Sequence, residues 1–223
     1  MASKGFSEKS ISFLNDLAKN NDKKWFELNR PLYEENILTP MKQLVLDLGP
    51  VMKGIDDKVD ITPQINKTIS KIYRDTRFSH DKAPLRSDQW IIFKRPVRVY
   101  GNVPEFYIYF TPEEYHIGMG YYASTPENME DFREKIDLNP AGFAKIVKRL
   151  EVHKSIELFG EDYRKQFNNN HPEQILKWYR KKSFYLSVNR KMGESFYSPD
   201  LSLQAKEIFT ACSELYLFLV KSL

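Results

Sequence analysis

The chain has 223 residues, 41% apolar and 14% aromatic, with a formal net charge of +4. That composition can bury a core and excludes a disordered polar chain, and no apolar run approaches the roughly 18 residues of a membrane span. The opening residues MASKGFSEKS lack the apolar stretch of a signal peptide, and the sole cysteine, Cys212, has no internal disulfide partner; both favour a reducing cytoplasm.

Helical spacing comes first. Ser7 is placed to cap a helix whose Ile11, Leu14, Leu17 and Ala18 share one face. Asp22 caps a second, in which Trp25, Phe26, Asn29, Tyr33 and Ile37 recur at helical intervals. Pro31 is expected to kink or interrupt it. Thr39-Pro40 predicts the start of a third helix and Gly49-Pro50 its end.

The period then changes. QWIIFK (89–94) and EFYIYF (105–110) read as strands, and YHIGMGYY (115–122) as a third. There Gly118 and Gly120 signal a bulge or a close backbone approach. Helices are expected over 126–136 and from Asn139-Pro140 to Val152. A weaker strand, SIELF (155–159), follows, then a helix in HPEQILKWYRK with Pro172 in its first turn. SFYLSVN (183–189) alternates like a strand, and 199–221 forms the last helix. No linker or repeat divides the chain. Helices around a central group of strands predict an α+β fold, one domain over residues 1–223. Its sheet is expected to be largely antiparallel, with helices from both ends packed on it.

Common catalytic and cofactor signatures are missing: no P-loop, no GxGxxG after a strand, no HExxH and no GxSxG. The histidines His80, His116, His153 and His171 have no metal-ligand spacing with a cysteine, so neither metal nor cofactor is expected. Cys212 falls on the apolar face of the last helix and reads as a buried hydrophobe.

Residues 71–86, KIYRDTRFSHDKAPLR, are the densest in polar chemistry. Lys71, Arg74, Arg77, Lys82 and Arg86 share this stretch with two carboxylates, Asp75 and Asp81, and with Ile72, Tyr73 and Phe78 as expected anchors. If the chain turns at Asp75-Thr76, Arg74 and Arg77 converge, and two guanidinium forks suit a phosphate or carboxylate. The competing reading is an internal network in which Asp75 and Asp81 orient the arginines. Asp75 and Asp81 are also the nearest candidates for a general base, although a carboxylate beside arginines is a weak one. Trp25, Asn29 and Arg30 span little more than one helical turn and are candidates to line the same site.

Several of these strings together carry a resemblance. NNDKKWFELNR (20–30) with Tyr33 and Pro40, RDTRFSHDKAP (74–84), GMGYY (118–122), Arg133 and HPEQILK (171–177) resemble the hallmark series of the domain of unknown function 2461 family. The match runs from Phe6 to the last helix. It departs at Leu85-Arg86, where that family shows an aromatic followed by lysine. The resemblance implies a single-domain cytosolic α+β protein of bacterial type and brings no established activity, cofactor or catalytic residue.

The leading expectation is therefore a soluble protein that binds a small phosphate- or carboxylate-bearing ligand, with or without chemistry on it. Arg74, Arg77, Lys82 and Arg86 would grip the anion. One alternative is nucleic-acid binding through the basic blocks 67–98 and 140–191, with nine and twelve Lys/Arg against three and five acidic residues. Exposed aromatics such as Trp178 or Tyr179 would then stack on bases. The acidic block 99–139 weighs against it. Another alternative is a structural or protein-interaction domain without a ligand. No membrane partner is expected.

Overall fold

The computed structural model describes residues 6–96, 103–164, 167 and 170–220. Helix α1 (Glu8–Lys19) starts at Ser7, whose N–H donates to Ser10 Oγ at 3.1 Å. Helix α2 (Lys23–Tyr33) is capped by Asp22, which accepts from the N–H groups of Lys24 and Trp25 at 2.8 and 3.0 Å.

Pro31 does not break the helical run, but regular α-helix gives way just after it. The helix runs past it into a π-helical turn, Glu34–Leu38, and directly into α3 (Thr39–Ile55). Pro31 offers no N–H to the preceding turn, and the widened turn that follows takes up the mismatch while Tyr33, Ile37 and Met41 stay buried. Thr39 is accordingly a mid-helix residue with φ −64°, not a cap. Gly49-Pro50 does not end α3 either. Pro50 lies on the exposed side, and the apolar stripe Val45, Leu48 and Met52 carries the helix on to Asp56.

The strands are β1 (Gln89–Phe93), β2 (Glu105–Phe110), β3 (Glu114–Gly120), β4 (Glu157–Phe159) and β5 (Tyr185–Lys191), in the order β1-β2-β3-β5-β4. Every pairing is antiparallel. Between them run α4 (Pro126–Leu138), α5 (Pro140–Leu150) and α6 (Glu173–Tyr179), and α7 (Asp200–Val220) closes the fold. This is the α+β architecture expected from the sequence. Register passes unbroken through Gly118 and Gly120, so the glycines mark close approach and not a bulge. A Cβ on Gly118 would stand 2.0 Å from Leu186 O, and one on Gly120 2.4 Å from Tyr185 Cα.

Strand alternation sorts the sheet into two faces. Ile91, Phe93, Phe106, Ile108, Phe110, Tyr115, Ile117 and Met119 point to one and are buried. Helices α3 and α7 pack there, with Phe209 and Tyr216 5.1 and 4.8 Å from the Phe106 ring. A second aromatic group joins Phe132 of α4, Phe143 of α5, Trp178 of α6, Phe184 and Phe218. Trp178 and Tyr179 are thus core residues, 3% and 8% exposed, and not the surface stackers the nucleic-acid reading needs. Cys212 is buried, and burial pushes its thiol up to about 12.

One buried carboxylate ties the layers. Asp56 follows α3 and accepts from Arg95 Nε at 2.6 Å, Tyr216 OH of α7 at 2.8 Å and the Lys58 N–H at 3.0 Å. Burial alone would raise its pKa, but these donors outweigh it and hold the carboxyl below its usual range. Asp56→Asn is predicted to lower stability by about 2–3 kcal/mol at neutral pH. Because the folded pKa is depressed, the wild-type advantage is complete above about pH 4 and fades as pH falls through the folded value. Urea denaturation across a pH series checks both; a difference independent of pH would refute the assignment.

Candidate functional site

Between α3 and β1 lies a long segment, 56–88, with no helix or named strand of its own. Its backbone is satisfied against neighbours. Residues 68–70 run beside β1, with Ile92 N–H donating to Thr68 O at 2.8 Å and Ser70 N–H to Trp90 O at 3.0 Å. The 71–86 stretch then folds into a loop. Arg74 N–H donates to Pro84 O and Arg86 N–H to Ile72 O, both at 2.8 Å. The turn falls at Arg77-Phe78 and not at Asp75-Thr76. Phe78, expected as an anchor, stands at the tip and is 93% exposed, because no apolar surface reaches it; Ile72 and Leu85 at the base are the buried anchors.

The loop base is clamped from the N-terminal helices. Asn21 accepts from Leu85 N–H and donates to Leu85 O, each at 3.0 Å, imitating a strand partner. Tyr73 OH donates to Glu27 at 2.9 Å, and Arg30 grips the same carboxylate at 2.6 Å. Arg30 therefore braces the loop from below. Trp25 packs near Phe13, 5.9 Å between ring centroids, and Asn29 Nδ2 donates to Trp25 O at 2.9 Å. None of Trp25, Asn29 and Arg30 lines a depression described below. Lys82 also lies outside both and donates to Thr76 O at 3.0 Å, closing the loop on itself.

Two adjoining depressions flank the loop and the sheet face left open by the helices. The first, about 820 Å³, is lined by Lys67, Lys71, Arg74, Arg77, Arg86 and Lys94, with Asp75 as its one carboxylate. Asn66, at φ 68°, makes the tight turn that presents Lys67, and asparagine tolerates that left-handed geometry better than most residues. Arg74 pairs with Asp81, and Arg77 with Asp75 at 2.7 Å. The side chain and backbone N–H of Arg77 pull Asp75 down to about 2, and the Ala83 N–H and then Arg74 lower Asp81. Both carboxylates are thus poor proton acceptors at neutral pH.

The second depression, about 670 Å³, is floored by the sheet. Trp90 of β1, Tyr109 of β2 and His116 of β3 stand in one cross-strand row, and Tyr107 and Gly118 in the next. The Arg86 guanidinium lies 4.7 Å from the Trp90 ring centroid and forms the wall shared with the first depression. At the far end Glu105 is buried, 3.5 Å from Lys94. Desolvation raises its pKa and Lys94 only partly offsets that. Sequence reasoning missed this face. The signal was in EFYIYF, where the hydroxyl-bearing Tyr107 and Tyr109 alternate with Phe106, Ile108 and Phe110 and so share the outward face.

Six of the twelve cations in the other basic block are held in ion pairs among the described residues. Lys177, Lys181, Lys182 and Lys191 pair with Glu151, Asp162, Glu161 and Glu114 at 2.7, 3.0, 3.5 and 3.4 Å, and Arg149 and Arg180 pair with Glu214 and Glu173. Arg98 and Lys165 of the two blocks lie outside the described residues. Among the described residues, no group of three or more His, Cys, Asp or Glu is arranged to hold a metal ion, and no helix is long and apolar enough to cross a membrane.

Two substitutions probe this geometry. Asn21→Ala removes both bonds to Leu85 and is predicted to cost about 1–3 kcal/mol in chemical denaturation; a variant as stable as wild type would show the clamp to be dispensable. A carboxyl whose folded pKa is raised favours folding while protonated, and that contribution is lost as pH rises through the folded value. Glu105→Gln should therefore melt higher than wild type at pH 7 and match it below about pH 4. A lower melting temperature at pH 7 would contradict the desolvated site.

No curated protein matches the chain. A family model described as "Conserved hypothetical protein (DUF2461)" matches residues 9–218, which include both depressions, the Asn21 clamp and all the strands. On that coverage the chain belongs to the DUF2461 family.

Proposed function

We propose that this protein binds a small phosphate- or carboxylate-bearing ligand in the depression between the 66–77 segment and β1. One observation carries the reading: six cations and one carboxylate line a single concavity. Arg74, Arg77, Arg86 and Lys94 are already held by Asp81, Asp75, Asp88 and Glu105. Lys67 and Lys71 are exposed and make no ion pair among the described residues. A multivalent anion would draw these charges together, and the arginine forks would supply bidentate geometry. Arg74, Arg77 and Arg86 are the sequence candidates within reach of it; Lys82 contributes charge only from outside the lining.

Nucleic-acid binding gains less support. Half of its second basic block is held in ion pairs, and its aromatic candidates are in the core. Asp75 and Asp81 serve as orienting counter-charges in this reading and not as bases.

Melting curves test it. An anion at ten times its Kd stabilises the native state by about 1.4 kcal/mol, or about 3–6 °C for a chain of this size. Phosphate should exceed chloride at equal ionic strength by such a shift. Sulfate and phosphate also stabilise proteins by exclusion, so the control is Lys71→Gln/Arg74→Gln. Loss of the excess in that variant supports the site. An equal gain in both proteins refutes it.

A further inference from the structure

The two depressions differ in character and share a wall, and that contrast specifies the ligand further. Resting on the anion-binding reading above, we propose that the ligand is a nucleoside monophosphate. Its phosphate would sit among the cations beside the loop and its base on the tyrosine floor of the open sheet face.

The floor is built to receive a planar ring. A Cβ on Gly118 would lie 2.7 and 2.8 Å from the Tyr107 hydroxyl oxygen and Cζ. Tyr107 therefore lies across the backbone of β3, occupying the space that any other residue at 118 would need. Its hydroxyl donates to Leu186 O at 3.2 Å, which pins the ring down along the sheet. In this reading the ring lying over β3 is the surface on which the base stacks. Tyr109, beside Trp90 and His116 in the adjacent row, gives the floor its second aromatic wall.

Charge sets the ligand's polarity. The loop side carries six cations against one carboxylate, while the sheet side is lined by Arg86, Asp88 and Glu105. Phosphate is favoured on the first, which holds the excess of positive charge, while in the second Arg86 stands 4.0 Å from Asp88 and Lys94 3.5 Å from Glu105. The second offers carboxyl groups to hydrogen-bond donors such as exocyclic amines or ribose hydroxyls. Arg86, stacked on Trp90 between the two, is placed to face the phosphate on one side and the ring on the other. A polymeric strand fits this arrangement less well, because a phosphate beyond the first would leave the six-cation concavity. Both volumes fall in the range of small-ligand sites.

Calorimetric titration of the full-length protein in low salt decides the matter. The ligands are inorganic phosphate, ribose 5-phosphate, the four common nucleoside monophosphates, adenosine and a short oligothymidylate. The expected result is that at least one nucleoside monophosphate binds about ten-fold or more tightly than phosphate, ribose 5-phosphate or the free nucleoside, the range that stacking provides. Tyr109→Ala, and separately Tyr107→Leu, should reduce that ligand to the affinity of inorganic phosphate. Unchanged phosphate binding in the same variants shows that they remain folded. Lys71→Gln/Arg74→Gln should weaken phosphate and nucleotide together.

Phosphate bound as tightly as every nucleotide would overturn the base site and leave the anion site standing. Ribose 5-phosphate equal to the best nucleotide would replace the base with a sugar. An oligonucleotide that outcompetes every mononucleotide would overturn the small-ligand assignment. No binding by any of them would overturn both readings.

Discussion

An antiparallel sheet needs an apolar cover on only one of its faces, because alternate side chains can meet water on the other. In this chain α3 and α7 supply that cover, and Phe106, Ile108, Phe110, Ile117 and Met119 are sealed beneath them. The opposite face carries Trp90, Ile92, Tyr107, Tyr109 and His116, all partly exposed. A polar outer face would need no further explanation. An aromatic one, with a buried carboxylate at its end and cations along its side, incurs desolvation that folding alone does not require.

The segment 56–88 depends on that same asymmetry. A long stretch without helix or strand must still satisfy its backbone polar groups. It does so by running residues 68–70 beside β1, by closing the 72–86 loop on itself and by borrowing the Asn21 amide at Leu85. These anchors are all at the loop's base. They leave Lys71, Arg77 and the tip at Phe78 in solvent. The base is thus pre-organised and the arginines are held by carboxylates, while Lys67 and Lys71 stay exposed to close on an anion, which limits the entropy lost on binding.

Much of the fold was legible because periodicity reports burial directly. The strands at 89–94 and 105–110 and the last helix all show alternation or helical spacing strong enough to place them, and Gly118 and Gly120 do mark a close approach. The stop rule failed at Gly49-Pro50, where a continuous apolar stripe outweighed one lost hydrogen bond, while Pro31 is followed by a π-helical turn and not by a break in the helical run. The cluster at 71–86 was visible from charge density, but the sequence did not tell Arg74, which lines the depression, from Lys82, which does not. That distinction depends on where a loop turns, and the turn at Arg77-Phe78 is set by long-range anchors that no local pattern encodes. Trp25, Asn29 and Arg30 looked like site residues because polar and aromatic groups share a helix. Their packing on Phe13, Glu27 and Tyr73 makes them the support of the loop instead.

The account rests on one claim, that an anion is drawn to the concavity between the 66–77 segment and β1. Crystals soaked in selenate at low ionic strength test it most directly, since anomalous scattering from selenium locates the ion without reference to any assumed site. The account predicts the strongest anomalous peak within hydrogen-bond distance of at least two of Lys67, Lys71, Arg74 and Arg86, and its loss from Lys71→Gln/Arg74→Gln crystals. Peaks confined to other surfaces, with that concavity holding only solvent, would contradict it.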